Sequence, residues 1–369
     1  MDFTFPPDTL MLRDMLRRFL QKEARPLEMK YFNSGELAPE ERARLRQAIQ
    51  QLGLWGLMVP EQFGGGGLDT LTACVIEEEL GTTFVPVEMG EVPALLYACQ
   101  GEQVANYLEP ALEAIRRPVI AAREPGVDGL QPSTWTTHAQ VEGEGYLLNG
   151  RKVLSVSPSA EDFYIVLANA PQGLTAFIVE SDASGLHTSH NGNRVLVLED
   201  CPTPGSALLG EPGGALELAA GEAPRAWIRT GARYVGMAER LLEMASEHAR
   251  EWVSLGAPLS IRPAVQRMLA DSRVEIESVR WLVYHAAWLA DMASGEQVKS
   301  AAAQVRVGSG EMLKNAVDRT TMVFAGPGPL PQIEPRRLVK NLVPGEALDL
   351  ALENARGFIA AELLNLSQE

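Results

Sequence analysis

The sequence predicts an α+β protein of several domains, with a helical domain at each end and a β domain between them. At 369 residues the chain is longer than one small core usually organises, and this length is typical of two or three domains. Apolar residues recur with a helical period near both ends, whereas the middle of the chain has the pattern of short strands. We therefore expect domains at residues 1–117, 118–213 and 214–369.

Composition and charge exclude several classes of partner. The formal net charge of -16 repels nucleic-acid phosphates and anionic lipid, so neither is expected to bind. The sequence contains no run of about 18 apolar residues, so no membrane span is predicted. The opening "MDFTF" lacks the pattern of a secretory signal. Cys74, Cys99 and Cys201 have no metal-ligand spacing and are typical of a reducing compartment. We expect a cytoplasmic protein.

Helices are predicted throughout the first domain. The segment "DTLMLRDMLRRFLQKEA" carries one apolar stripe, with Asp8 as its expected N-cap. A second helix is predicted over about Pro39–Leu52, and a third begins at Asp69 and ends at Gly81. The stretches "PALLYACQ" and "EQVANYLEPALEAI" predict two more helices.

Short strands are predicted in the second domain. They correspond to "PVIAAR", "TTHAQVEG", "GYLLNGRKVLSV", "DFYIVLANA", "LTAFIVES" and "RVLVLED". Asn149-Gly150 lies between apolar flanks and is predicted to form a hairpin turn. About six such strands would make a small β domain.

Long helices are predicted in the third domain, over 223–252, 263–292, 296–324 and 346–364. Their length is typical of a four-helix bundle. Trp281, Tyr284 and Trp288 recur at helical spacing, and we interpret them as part of a core or an interface rather than a cofactor site.

Taken alone, the residues define no self-sufficient active site. Gly64–Gly67 lacks the following lysine and hydroxyl of a phosphate-binding loop and is interpreted as a turn. The carboxylate run "IEEEL" is not a paired acid/base site, because successive helical residues point in different directions. We interpret it as a solvated helix face. His187 and His190 share a polar loop without a neighbouring cysteine or carboxylate, so no metal site is predicted. His248 and His285 are expected to be packing or surface residues.

Several stretches together resemble the acyl-CoA dehydrogenase family. "LGLWGLMVPEQFGGGGLD" followed by "VIEEELG" resembles the family's N-terminal signature, and "AAREPGVDG" stands where the family has a Thr-Glu-Pro-Gly segment. "GYLLNGRKVLSV" resembles its central hairpin, and "VQRMLADSRVEIESVRWLVYHAAW" resembles a long helix of its third domain. The resemblance implies a helical domain, a β domain and a four-helix domain that assembles into dimers or tetramers. It also implies an oxidoreductase of lipid metabolism, which dehydrogenates an acyl-CoA thioester with FAD.

The resemblance places the family's flavin contacts on residues of other kinds. Arg123 stands in place of a threonine, Gly129 in place of a serine, and Leu154 in place of a tryptophan over the flavin. The next hydroxyl residue falls on Val156, unless a shift of one residue brings Ser155 into its place.

The adenine side departs from the family in the same way. Gly326 belongs to an Ala-Gly pair where the family has two glycines, and the arginine that reaches a neighbouring subunit's FAD falls on Trp252.

An unpaired guanidinium is costly to bury, so we expect a buried Arg123 to meet an acidic side chain or a bound phosphate. The candidate cofactor-binding positions are Arg123, Gly129, Ser155, Val156 and Gly326.

The resemblance also implies that the chain lacks its own catalytic base. Matched backwards from "ALENARGFI", the family's glutamate falls on Pro344, and an alternative family position falls on Ala226. Glu346 is the remaining candidate, although the helix dipole also explains a glutamate in a first helical turn.

Three functions remain open. In the first, the chain is a degenerate subunit of a hetero-oligomeric acyl-CoA dehydrogenase, and a competent partner supplies the glutamate. In the second, it is a stand-alone flavoenzyme that uses Glu346 or another base. The third alternative is a non-enzymatic binding or assembly protein. The first agrees best with changes that cluster at cofactor and base positions.

Overall fold

The fold is described from a computed structural model of the chain. The described residues are 4–126, 134–154, 162–189, 194–293, 295–324 and 345–364. Several positions singled out from the sequence lie outside these ranges, namely Gly129, Ser155, Val156, His190, Gly326 and Pro344. Over the described part of the chain, no helix is both long enough and apolar enough to cross a membrane.

Helices occupy most of both ends of the chain. In chain order, the described α-helices are α1 (Pro7–Phe19), α2 (Glu28–Ser34), α3 (Pro39–Gln51), α4 (Thr70–Gly81), α5 (Glu109–Leu112), α6 (Ala215–Glu251), α7 (Pro263–Met292), α8 (Glu296–Phe324) and α9 (Gly345–Leu364). The helices predicted at 263–292 and 296–324 are confirmed to the residue. The helix expected from 223 begins earlier, at Ala215, and continues through Pro224, whose ring removes only one N–H donor.

The starts of α1 and α4 differ in how they are capped. Asp8 is not the N-cap of α1, because Pro6 occupies that position and Pro7 begins the helix. Proline suits a first helical position, where its missing N–H has no helical partner to lose. The N-cap predicted for α4 is confirmed, since Asp69 Oδ1 accepts a hydrogen bond from Thr72 N at 2.6 Å.

The middle of the chain forms a mixed sheet. The described strands are β1 (Arg117–Ala121), β2 (His138–Glu142), β3 (Gly145–Val153), β4 (Asp162–Ala170), β5 (Gly173–Glu180), β6 (Leu186–Ser189), β7 (Val195–Pro204), β8 (Leu208–Leu209), β9 (Val253–Ser254) and β10 (Ala257–Pro258). Seven of them pair in the order β6-β7-β3-β2-β4-β5-β8, and β1 pairs with β4 in parallel. All six predicted strands are present, whereas the partly polar β6 and the two-residue strands β8, β9 and β10 were not predicted.

The hairpin turn predicted at Asn149-Gly150 is wrong. Both residues lie inside β3, and the turn between β2 and β3 is formed by Gly143-Glu144. The register of β3 on β7 shifts at this point, and the Asn149 side chain exchanges hydrogen bonds with Asp200. A Cβ at Gly150 would overlap Thr137, so close approach of two backbone segments requires glycine here.

The contacts divide the chain into two compact units. The helical unit contains Met1–Met58, Gly67–Met89 and Pro224–Glu369, and the sheet unit contains Val59–Gly66 and Gly90–Ala223. The boundaries of the three domains expected from the sequence stay a prediction.

In the sheet unit, β4 and β5 are buried on both faces. Alternate residues of β4, such as Phe163 and Tyr164, belong to two different apolar clusters. This arrangement explains why the strand has an almost continuous apolar sequence.

The carboxylate run of α4 is not a solvated face, contrary to the interpretation of "IEEEL". Glu77 and Glu79 are each only 5% exposed. The three successive glutamates form ion pairs with arginines of three other helices: Glu77 with Arg233 of α6, Glu78 with Arg280 of α7, and Glu79 with Arg17 of α1. The three side chains do point in different directions, but α1, α6 and α7 pack around α4, so each glutamate contacts a different helix. Because a buried carboxylate is costly without a partner, the run fixes α4 against its neighbours.

The crossing of α4 and α6 depends on small residues. A Cβ at Gly81 would overlap the Arg233 carbonyl, and one at Gly236 would overlap the Glu78 carbonyl. The two helix backbones therefore touch directly, which brings Arg233 within 2.6 Å of Glu77.

The aromatic stripe of α7 has two environments. Tyr284 Oη donates a hydrogen bond to Glu78 Oε2 at 2.7 Å, and burial raises the pKa of this tyrosine. Trp281 and Trp288 are about half exposed, at 50% and 51%. The tyrosine thus belongs to the interior, while the two tryptophans lie at the surface.

We predict that Asp291→Ala lowers the free energy of unfolding by about 1 kcal/mol, the usual value of a lost helix cap. Asp291, at the end of α7, accepts hydrogen bonds from Thr70 N at 2.7 Å and Leu71 N at 3.0 Å, so it caps α4 from outside. Asp291→Asn keeps one acceptor and should lose less. Urea unfolding measures both variants, and unchanged stability of the alanine variant would contradict this role.

Candidate functional site

The candidate site begins where the chain leaves β1, in the segment "REPG". Glu124 in this segment is 5% exposed. Its Oε2 accepts hydrogen bonds from Thr136 N at 2.7 Å and Thr136 Oγ1 at 2.9 Å. Its Oε1 accepts from Thr137 N at 2.8 Å and from Lys152 Nζ at 3.1 Å. Both carboxylate oxygens are therefore engaged by the protein itself.

Lys152 supplies the opposite charge from within β3. Its side chain is fully buried, and Nζ donates hydrogen bonds to Glu124 and to the Ala122 carbonyl, the latter at 2.9 Å. The ammonium also lies 4.1 Å from the centre of the Trp135 ring, within the range of a cation–π contact. Lys152 thus ties the segment that follows β1 to strand β3.

The protonation states of this pair follow from burial and hydrogen bonding. Burial alone would raise the pKa of Glu124, but hydrogen bonds from Thr137 and Thr136 and the charge of Lys152 outweigh it and lower the pKa to about 2. Burial lowers the pKa of Lys152 to about 8, against the attraction of Glu124. At neutral pH Glu124 is ionised and Lys152 is mostly protonated. Glu124 is then too weak a base to take a proton from carbon, so the pair positions the loop.

Of the five candidate cofactor-binding positions, only Arg123 lies within the described residues. The Arg123 side chain is exposed, so the burial cost behind its expected acidic or phosphate partner does not arise. Its carbonyl accepts a hydrogen bond from Val153 N at 2.8 Å. Leu154, at the position of the family's tryptophan, is 4% exposed and packs into the core of the sheet. The Arg123 side chain therefore lies at a surface, whereas that of Leu154 does not.

Most of the described polar groups around this loop are used within the protein itself. A flavin needs donors for its polar edge and a wall against its ring. The Thr136 hydroxyl and the Lys152 ammonium already donate to Glu124, and Leu154 is enclosed by the sheet's own apolar residues. Among the described residues of this site, Trp135 Nε1 and Thr137 Oγ1 are buried without a hydrogen-bond partner.

The sequence reasoning did not single out Glu124, Lys152 or Trp135. One signal could have found the pair, because Lys152 continues the alternation of β3 from the buried Leu148 and so occupies an inward position. A lysine that points inward requires an anionic partner. The residues next to Lys152 in the sequence do not show that its partner is Glu124, because the two are 28 residues apart.

The remaining polar candidates form no site. The described residues contain no group of three or more histidine, cysteine, aspartate or glutamate residues able to hold a metal ion. His187 belongs to strand β6 rather than to a loop. Cys74, Cys99 and Cys201 are all buried free thiols.

Comparison with known proteins gives a consistent result. The family model for the acyl-CoA dehydrogenase N-terminal domain matches residues 6–114, and the model for the C-terminal domain matches residues 224–363. (R)-benzylsuccinyl-CoA dehydrogenase of Thauera aromatica is 30% identical, over 89% of this chain and 88% of that protein. An acyl-CoA dehydrogenase of Bacillus subtilis is 29% identical, over 76% of this chain and 78% of its own length.

Solved structures share the fold. Butyryl-CoA dehydrogenase from Megasphaera elsdenii superposes with a TM-score of 0.82 at 23% identity, covering 99% of this chain and 100% of the other. Glutaryl-coenzyme A dehydrogenase, in its glutaryl-CoA complex, gives a TM-score of 0.84 at 23% identity, covering 100% and 98%. At these identities the likeness concerns the fold alone.

We predict that Glu124→Gln destabilises the protein by about 3–5 kcal/mol, because it leaves the Lys152 charge buried without its partner. The double variant Glu124→Gln/Lys152→Met removes both charges and should recover most of the loss. Urea unfolding followed by circular dichroism compares the two. A double variant as unstable as the single one would contradict the pairing.

We also predict an acid-dependent contribution from Glu124. Its pKa in the folded protein, about 2, lies below the ordinary value of 4.5, so its ionised form stabilises the fold above pH 4.5. This contribution is lost as the pH falls from 4.5 to about 2. Stability measured against pH should therefore fall more steeply for the natural protein than for Glu124→Gln/Lys152→Met in that window. Parallel curves would contradict the prediction.

Proposed function

This chain belongs to the acyl-CoA dehydrogenase family, and we propose that it is a catalytically degenerate subunit of a hetero-oligomeric acyl-CoA dehydrogenase. In this proposal a competent partner subunit supplies the glutamate that removes the α-proton of an acyl-CoA thioester, and FAD is the cofactor of the assembled enzyme. One observation carries the proposal. At the position of the flavin-covering tryptophan, Leu154 is buried in the sheet core, and the Thr136 hydroxyl and the Lys152 ammonium donate to Glu124.

The positions of the base support the same proposal. Ala226, the alternative family position for the glutamate, lies inside α6, and its methyl side chain cannot accept a proton. Beside it, Trp227 packs against the core of the helical unit. Glu346 lies in the first turn of α9, where a carboxylate interacts favourably with the helix dipole.

An exposed apolar stripe supports association with a second chain. Val274, Trp281 and Trp288 recur at intervals of seven residues along α7, followed by Met292, with exposed fractions of 65%, 50%, 51% and 71%. Large exposed apolar side chains along one helix face are typical of protein interfaces. We propose that this face contributes to a dimer or tetramer with another acyl-CoA dehydrogenase-like chain.

We predict that the chain purified alone has no flavin absorption band, because Leu154 is buried at the position of the tryptophan that covers the flavin. Co-expressed with a competent acyl-CoA dehydrogenase-like chain of the same organism, it should form a stable complex whose flavin band bleaches on anaerobic addition of acyl-CoA. Visible spectroscopy across a series of acyl chain lengths, together with light scattering, measures both. As a control, Glu346→Gln in this chain should leave bleaching unchanged, whereas replacing the partner's base should abolish it.

Two other outcomes would replace the proposal. Bleaching of a flavin bound to the isolated chain, lost in Glu346→Gln, would identify a stand-alone flavoenzyme with a relocated base. A homo-oligomer with neither flavin nor thioester affinity, and no complex with a related chain, would identify a non-enzymatic assembly protein.

A further inference from the structure

A cleft in the helical unit lies apart from every residue that the proposed function uses. Its volume is about 420 Å³, within the usual range for small-molecule sites. The apolar part of its lining consists of Met29, Phe32, Phe84, Met244 and Phe324. Phe32 and Phe84 are almost fully buried, so these walls are fixed by the core around them.

One wall of the cleft is a stack of flat rings. The His248 ring lies 4.4 Å from that of Phe324, with an angle of 12° between the planes. On α6 and just beyond it, His248 and Trp252 stack at 5.5 Å and 22°. Burial lowers the pKa of His248, against the nearby charge of Glu251, so the ring is neutral at neutral pH. A further aromatic ring can extend such a stack.

Unsatisfied hydrogen-bonding atoms concentrate around this cleft. Within the described residues, seven buried side-chain nitrogen or oxygen atoms have no hydrogen-bond partner. Three of them, Arg25 Nε, Arg240 Nε and His248 Nε2, belong to side chains that line the cleft, and a fourth, Trp252 Nε1, belongs to the ring stacked on His248. The arginine and tryptophan atoms are donors only. A buried donor without a partner is costly, so a ligand with an acceptor would relieve that cost.

The charges around the cleft favour an uncharged ligand over an anion or a cation. Glu243 pairs with Arg25 at 3.3 Å and with Arg240 at 2.7 Å, and Arg240 also pairs with Glu28 at 2.9 Å. The two carboxylates together neutralise the two arginines. The exposed carboxylates of Glu247 and Glu251 add negative charge to the lining. An anion is repelled, and a cation cannot accept hydrogen bonds from the free N–H groups.

We propose that this cleft binds a small, uncharged aromatic molecule that carries a hydrogen-bond acceptor, such as an aromatic amide. The ring packs against the apolar walls beside His248 and Phe324, and the acceptor satisfies one of the unpartnered N–H groups. The site involves only the helical unit and is independent of the proposed function.

Three probes of similar size test the proposal on the full-length protein. Benzamide has a ring and an acceptor, toluene has only the ring, and benzamidine replaces the acceptor with a cation. Isothermal titration calorimetry should give benzamide a Kd about tenfold lower than that of toluene, as one satisfied buried donor implies. Benzamidine should bind no better than toluene. Equal affinity of benzamide and toluene, stronger binding of benzamidine, or no saturable binding of any probe would overturn the proposal.

Variants assign the binding to this cleft. His248→Phe keeps the stacked ring and removes its nitrogen, so it should weaken benzamide several-fold and leave toluene unchanged. Phe324→Ala removes one wall and should weaken both. The matched control is His285→Phe, on an exposed position of α7, which should change neither. Benzamide affinity that is unchanged in both cleft variants would place the binding elsewhere and overturn the assignment.

Discussion

The pairing of buried carboxylates is the constraint on which both units depend. The chain carries 48 acidic residues, and the few that it buries are each held by a cation from a distant part of the sequence. In the sheet unit Glu124 meets Lys152, and in the helical unit the α4 glutamates meet arginines of three helices. A hydrophobic side chain could fill the same space, but a buried charge tolerates only a packing that supplies its partner. These pairs therefore select which elements pack together.

The same constraint fixes the described residues around Glu124 through contacts within the protein. Glu124 and Lys152 are buried, and their hydrogen bonds serve the sheet itself, so the loop is fixed whether or not a ligand binds. Leu154 packs into the adjacent apolar core, where burial of its side chain stabilises the sheet. The architecture of the family and its chemistry therefore rest on different residues. A chain can keep the first and depend on a partner for the second.

The helical unit presents the opposite situation in its cleft. Whereas the α4 carboxylates are fully partnered, the Nε atoms of Arg25 and Arg240 and the ring nitrogen of His248 are buried without partners. Both arginines use their terminal nitrogens in ion pairs, which leaves the inner N–H group without an acceptor. Residual hydrogen-bonding capacity beside fixed aromatic walls is the usual composition of a small-molecule site.

The sequence by itself determined what depends on neighbours along the chain. Helical period placed α7 and α8 to the residue, alternation located six strands, and short motifs identified the family. Tertiary structure alone decided the burial of Glu77 and Glu79, the position of Asn149-Gly150 inside β3, and the partner of Lys152. Each of these depends on groups far away in sequence, because burial and charge pairing are set by whatever packs against a residue. A local pattern records the direction in which a side chain points, but not what it meets there.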